Sequence, residues 1–340
     1  MNAIDVAIYA DMDAVAADAR GALDRAHQAS LFDRLDWFRL TLEHCPPSGS
    51  LLVVRARDAQ NNSAWLFLMR NRSRATTLSS WYSMETGLVT TGINGHALGR
   101  AIAHHLRSLA IGQIMFSPLQ SERAVLLAEV FEQEGWLATT YESSTNWTVS
   151  TRGVAWPDYW SARPSRLRNT IERKQKAHEL TTAISHMFDE NMWLSYYDIY
   201  NSSWKPAEGS FEFLRALAEL ESTQGTLRLG VAHHKGHAVA SQLWLVENGI
   251  ATIHKLAHRE EAQALSPGSI LSAAMFRHVI ERDKVDLINF GTGDEPYKKD
   301  WMDTRRPLFQ VQFFNPATLT GMLGKARQAV SSLVHHGRRD

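Results

Sequence analysis

Apolar and polar positions sort this chain into short hydrophobic runs and longer stretches of helical period. Leu51 to Arg57 and Ala64 to Arg70 flank Asn61-Asn62 and predict two strands paired around a turn. Before them, Ile4 to Ala29 predicts a first strand and a helix. Phe32, Trp37, Phe38 and Leu42 then recur at helical spacing until Pro46-Pro47 stops the helix. Ser79 to Gly95 is polar and reads as loop. His96 to Leu109 predicts a helix, Gln113 to Ser117 a strand, Glu122 to Glu134 a helix ended by Gly135, and Trp136 to Ser150 a further strand.

The second half repeats that order. Helices are expected over Arg163 to Leu180, Met192 to Trp204 and Phe211 to Thr223. Leu227 to Ala232 and Val239 to Val246 form a hairpin around Lys235-Gly236, and Ile250 to Ala257 is the next strand. Ser269 to Arg282 predicts a helix, Val285 to Phe290 a strand, and Pro307 to Phe314 a strand that closes the second sheet. No direct sequence repeat is visible, but the repeated element order predicts two related α/β units with mixed sheets flanked by helices. The expected boundaries are 1–152, 153–316, and an amphipathic C-terminal helix over 317–340.

A length of 340 residues suits two cores of ordinary size. The charges balance to zero and the pI is about 7.3, which argues against a dedicated DNA binder. Cys45 is the only cysteine, so no disulfide or thiolate metal cluster is available. There is no basic start followed by an apolar core, and no run approaches the roughly 18 apolar residues of a membrane span; the chain reads as cytoplasmic. HExxH, paired CxxC, a Walker loop and a G-x-S-x-G elbow are all missing, so neither a metal nor nucleotide hydrolysis is expected.

Candidate chemistry concentrates in Leu287-Ile288-Asn289-Phe290-Gly291-Thr292-Gly293-Asp294-Glu295-Pro296-Tyr297-Lys298-Lys299-Asp300-Trp301. A buried strand ends at two glycines and is followed at once by carboxylates, a phenol and ammoniums, the placement that open α/β sheets use for ligands. An ordinary helix start at Asp294-Glu295-Pro296 accounts for the same string. Upstream, Ser266-Pro267-Gly268-Ser269 precedes an apolar-periodic helix. Ser266 is positioned to cap it, and Gly268 would let a phosphate approach the free N–H groups of the first turn.

With that upstream string, the segment resembles the signature of the CelD-like group of GNAT-type acyltransferases, a group related to the FemAB-type aminoacyl transferases. The resemblance runs from about Tyr159 to Phe314 and is weaker over residues 1 to 150. It implies tandem GNAT-like units that move an acyl group from a thioester to an amine. The implied donor is acyl-CoA, with acyl carrier protein as the alternative, held by Ser266, Gly268, Ser269 and Lys298. The phosphate loop usual in such enzymes is here reduced to one glycine. Tyr297 stands where many GNAT enzymes carry a tyrosine that protonates the departing thiolate, for which a phenol of pKa about 10 suits a thiol of about 8.5.

The attacking amine must lose a proton first, and Glu295, Asp294, His258 and His254 are the candidate bases. The two histidines share one face of the strand if it stays extended, with Lys255 on the other. Trp204-Lys205, Lys255, Arg168 and Trp301 are the candidates for the acceptor side, and Arg163-Pro164-Ser165-Arg166-Leu167-Arg168-Asn169-Thr170 also resembles a family motif. The basic stretch to Lys176 is either a solvated face or a surface for a donor phosphate, an anionic lipid or transfer RNA. The expected acceptor is an amine of a cell-envelope precursor: a long-chain lipid base, or an amino sugar of surface polysaccharide. Aminoacyl-tRNA-dependent transfer and a non-catalytic scaffold are the alternatives. Leu319, Met322, Leu323, Ala326, Val330, Leu333 and Val334 form an apolar stripe with Lys325, Arg327, Arg338 and Arg339 as basic flanks. That pattern fits packing on its own domain or peripheral contact with the inner membrane surface.

Overall fold

The computed structural model describes residues 4–336. The chain divides into two compact units, Met1–Ser144 with Pro307–Asp340, and Thr145–Arg306. The first part of the chain supplies β1 (Asp5–Tyr9), α1 (Met12–Ala19), α2 (Leu35–His44), β2 (Ser50–Arg57), β3 (Ser63–Asn71), β4 (Arg74–Thr77), β5 (Val89–Thr91), α3 (Gly95–Ser108), β6 (Gln113–Leu119) and α4 (Ser121–Gln133). Next come β7 (Leu137–Ser150), α5 (Trp156–Ser161), α6 (Ser165–His178), β8 (Thr181–Ser185), α7 (Glu190–Asn201), α8 (Phe211–Thr223) and β9 (Leu227–His234). The chain ends with β10 (His237–Glu247), β11 (Ile250–His258), α9 (Pro267–His278), β12 (Leu287–Thr292), β13 (Thr304–Phe314) and α10 (Leu319–His336).

Each unit builds its sheet by the same sequence of pairings. In the first, β1, β2, β3 and β4 are antiparallel neighbours, β6 joins β4 in parallel, and β13 closes antiparallel to β6. In the second, β8, β9, β10 and β11 are antiparallel, β12 joins β11 in parallel, and β7 closes antiparallel to β12. The closing strands are exchanged in sequence. Pro307–Phe314, expected to close the second sheet, pairs with β6 from Phe309↔Leu119 to Phe314↔Gln113, and its Val311 and Phe313 enter the first core. Residues 145–150, expected in the first unit, pair with β12. The breaks therefore fall after 144 and 306 rather than after 152 and 316.

The large aromatics are mostly structural, as Trp37, Trp65, Trp136, Trp193, Trp244 and Trp301 are buried. Helix α10 belongs to the first unit, where Lys325 Nζ donates to Ala138 O (3.0 Å) and Thr139 Oγ1 (2.6 Å). Its apolar stripe does not pack inward over the first two turns: Leu319, Met322 and Leu323 are 80%, 59% and 58% exposed. The side chains of Val330, Leu333 and Val334, and all of Arg338 and Arg339, lie outside the described residues. No helix among the described residues is long and apolar enough to cross a membrane.

Candidate active site

The second unit contains a cavity of about 290 Å³, and the two stretches singled out in the sequence meet there. Ser266 lines it just before α9, Gly268, Ser269 and Ser272 from α9, Leu256 and His258 from β11, and Tyr297, Asp300 and Trp301 from the segment after β12. Pro267 has no N–H, and Ile270 N donates to Ser266 O at 3.1 Å. The first-turn N–H groups of Gly268 and Ser269 therefore have no acceptor within the helix. A Cβ on Gly268 would lie 3.2 Å from His258 Nδ1, so the missing side chain keeps this approach open.

Ser266 does not act as the expected side-chain cap. Its φ is +54°, its hydroxyl makes no cap bond, and that hydroxyl accepts instead from Lys174 Nζ at 2.8 Å. Lys174 also donates to Ala264 O at 2.7 Å, so a cation from α6 stands at the positive end of α9. In the sequence, Lys174 is one charge in the basic stretch that runs to Lys176. The i+4 period of α6 did not say which charge would face α9.

The turn after β12 is built by side chains that look catalytic in sequence. Asn289 Oδ1 accepts from Gly291 N (2.9 Å) and from Asn146 Nδ2 (2.6 Å), which shifts the register against β7. Gly291 and Gly293 take φ of +68° and +107°, values that favour glycine. Lys298, expected to hold the donor, is 4% exposed at its side chain and points back into the turn. Its ammonium donates to Thr292 O (2.6 Å) and Gly293 O (3.2 Å) and pairs with Glu295 at 2.9 Å. Asp294 accepts from Trp147 Nε1 at 2.8 Å and from Arg305 at 3.2 Å. Besides Asp300 and Trp301, this segment presents to the cavity Tyr297, 39% exposed and edge-on to Phe290.

Residues 165–299 match the model of the acetyltransferase (GNAT) domain family. The matched residues all lie within the second unit. The whole chain has a tandem GNAT-like fold, as its solved neighbours also indicate. It superposes on the C-terminal domain of a putative lysylphosphatidylglycerol synthetase from Agrobacterium fabrum with a TM-score of 0.60 at 12% identity, covering 95% of this chain and 96% of that one. A tandem GNAT protein from the clavulanic acid biosynthesis pathway gives 0.52 at 14% identity, covering 91% and 98%. FemX gives 0.55 at 8% identity, covering 82% and 95%. At these identities the likeness is one of fold. No curated protein sequence matches the chain.

Within the matched region the expected bases are separated by a β-bulge. Leu243 pairs with Lys255 and Trp244 with Ile253, which leaves His254 as the extra residue of β11. The two histidines therefore do not share a face. His258 lines the cavity with its ring 4.2 Å from that of Trp204, while His254 is 8% exposed in the interior. Burial, and then the Lys255 charge, push His254 down to about 3. An imidazole that stays neutral to that pH is a poor proton acceptor at pH 7. In the unfolded chain it would titrate near its ordinary 6.5, so the unfolded state binds the extra proton and native stability falls as pH drops below about 6.5. That slope approaches about 1.4 kcal/mol per pH unit for this group alone. His254→Leu is expected to flatten the acid limb of chemical-denaturation curves between about pH 6.5 and 4; an unchanged limb would contradict the burial of a neutral imidazole.

Burial acts first to raise Glu295, but the hydrogen bond and charge of Lys298 outweigh it and hold the carboxyl low. For Asp294 the Trp147 hydrogen bond leads the lowering, with Arg305 adding to it. For Tyr297, burial and then the Glu295 charge raise the phenol far above 10. That changes its expected role: it stays protonated and can donate a hydrogen bond to sulfur, but it does not readily give the proton away. On the acceptor side, Trp204 is half exposed at the cavity wall and Trp301 is buried behind it, stacked on Phe276. Arg168 does not reach the cavity; its Nε donates to Arg163 O at 3.1 Å. Lys255 is bound to Glu208 at 2.9 Å, and the Glu208 side chain is only 2% exposed. Neither Glu208 nor the buried Gln242, which donates to Ser272 Oγ at 2.8 Å behind the cavity, carried any local sequence signal.

Metal-capable groups also come together away from this cavity. His186, His278 and Asp283 lie within 4.8 Å of one another. Arg228 grips the Asp283 carboxylate at 2.7 and 3.1 Å, which supplies the cation there.

Proposed function

We propose that the second unit transfers an acyl group from an acyl-CoA thioester, or from acyl carrier protein, to the primary amine of a cell-envelope precursor. The observation that carries this reading is the convergence of Gly268, Ser269 and Tyr297 on one cavity. Unpaired N–H groups at a helix start suit a pyrophosphate, and the nearby Lys174 ammonium adds positive charge. These residues fit the phosphate end of coenzyme A, whose role would be to present the acyl carbon as a thioester. Tyr297 would hydrogen-bond the departing sulfur, and the closed turn held by Lys298 would fix Tyr297 against the cleft.

Leu167, Leu256, Trp204 and Trp301 give the cavity apolar walls, which favours a long-chain lipid base over an amino sugar as acceptor. The likeness to a putative lysylphosphatidylglycerol synthetase domain supports a lipid-directed setting to the same extent. The test is mass spectrometry of reactions containing acetyl- or palmitoyl-CoA with sphinganine, glucosamine or ethanolamine. An amide of the lipid base is expected. A glucosamide would move the assignment to surface polysaccharide, and amide formation only with aminoacyl-tRNA would replace the donor. Tyr297→Phe is expected to lower kcat about tenfold to a hundredfold with little change in KM, the loss of one hydrogen bond to a charged sulfur. Unchanged turnover would remove Tyr297 from the reaction.

A further inference from the structure

Three lysines cluster beside the cavity, and the carboxylates around them account for only two. Lys255 of β11 is paired with Glu208, and Lys298 of the β12 turn with Glu295, both at 2.9 Å. Lys205, in the segment after α7, has neither a carboxylate nor a hydrogen-bond acceptor for its ammonium among the described residues. Its Nζ lies 5.9 Å from the ring centroids of both Tyr200 and Trp204. The groups that face it are Tyr200 from α7, Glu208 from its own segment, Lys255 and His258 from β11, and Glu295 and Lys298 from the turn. Trp204, its neighbour in sequence, forms cavity wall together with His258 and Tyr297, and Lys205 stands behind that wall rather than in it.

A partly buried amine set beside two other cations favours its neutral form. Burial, then Lys255, bring Lys205 down from 10.5 to about 8, against partial opposition from Glu295 and Glu208. The rival proton acceptors are already committed. Glu295 is bound to Lys298, Asp294 to Trp147 and Arg305, and His254 sits in the interior. His258 is held low by burial and by Lys205 itself.

We propose that neutral Lys205 takes the proton from the acceptor's ammonium through a bridging water. This rests on the acyl-transfer reading above. The freed amine pair attacks the thioester carbon, the C–N bond forms as the C–S bond breaks, and the thiolate leaves against the Tyr297 hydroxyl. The amide nitrogen's second proton and the one held by Lys205 pass to the thiolate and to solvent, which balances the step. A base close in pKa to the amine it serves is the efficient arrangement.

Two measurements test this. With acetyl-CoA and the best amine of the panel, kcat/KM of the wild type is expected to rise with pH through about 8, as Lys205 becomes neutral. Lys205→Arg keeps the cation but cannot lose its proton in this range. It is expected to lose about 10²- to 10⁴-fold in kcat and to abolish that limb, with the KM for acetyl-CoA unchanged. Added methylamine should partly rescue Lys205→Ala. In the resting wild type, acetic anhydride labelling read by tandem mass spectrometry should show Lys205 half-reactive near pH 8, well below the exposed lysines. Wild-type turnover and pH profile in Lys205→Arg, or labelling of Lys205 like an exposed lysine, would overturn the role. A wild-type protein that acylates no amine would instead overturn the reaction, and this role with it.

Discussion

Gly268→Val is expected to weaken binding of coenzyme A roughly a hundredfold while leaving the second unit folded. The two consequences separate because of where Gly268 sits. It lies in the first turn of α9 and does not adopt a positive φ, so a branched side chain is compatible with the local backbone. Its carbonyl accepts from the buried Gln242 at 3.2 Å, and that bond survives substitution. The new Cβ would stand 3.2 Å from His258 Nδ1, close enough that the imidazole must give by a few tenths of an ångström. The added methyls would cover the N–H groups that are free to meet phosphate. Losing one or two charge-assisted bonds of that kind costs about 2–4 kcal/mol. Calorimetric titration with coenzyme A and a thermal melt read the two effects apart. Tight binding by the valine variant would show that the donor enters elsewhere, and Tyr297 would then need another explanation.

The alternation of strands and helices in each half was legible in sequence because it rests on local period, and so was the meeting of the 266–269 and 287–301 segments. The exchange of β7 and β13 between the sheets was not legible. A strand's apolar pattern says that it is buried, and nothing in Phe309 to Phe314 says whether it will close antiparallel on β6 or on β12. Side-chain roles failed for a related reason. Lys298 and Glu295 have the composition of a catalytic pair, yet one extra turn of 3₁₀ helix over Pro296–Asp300 aims the ammonium at the carbonyls of Thr292 and Gly293. His254 and His258 have the spacing of neighbours on one face, and a single bulged residue undoes it. Tyr297 and Gly268 both line the cavity, because glycine turns and helix starts constrain position more tightly than charge does.

The opposite end of α9 gives the other large effect. After His278 the helix widens into a π-turn over Val279–Asp283, and Asp283 meets Arg228 of β9 in a pair whose side chains are 9% and 8% exposed. Arg228 also donates to the carbonyls of Gly225 and Leu227, at 2.8 and 2.7 Å. Asp283→Ala would leave the guanidinium buried with two carbonyls and no counter-charge. The expected cost is about 3–5 kcal/mol, or a fall in melting temperature of about 10 °C for a unit of this size. The double variant Arg228→Met with Asp283→Leu should recover most of that loss, because two apolar side chains leave no orphaned charge. Helix α9, 12 residues and about 18 Å long, separates this anchor from the Gly268 end. Coenzyme A affinity of the folded Asp283→Ala protein should therefore match the wild type. If affinity falls together with stability, the anchor sets the position of the donor site through the whole length of α9.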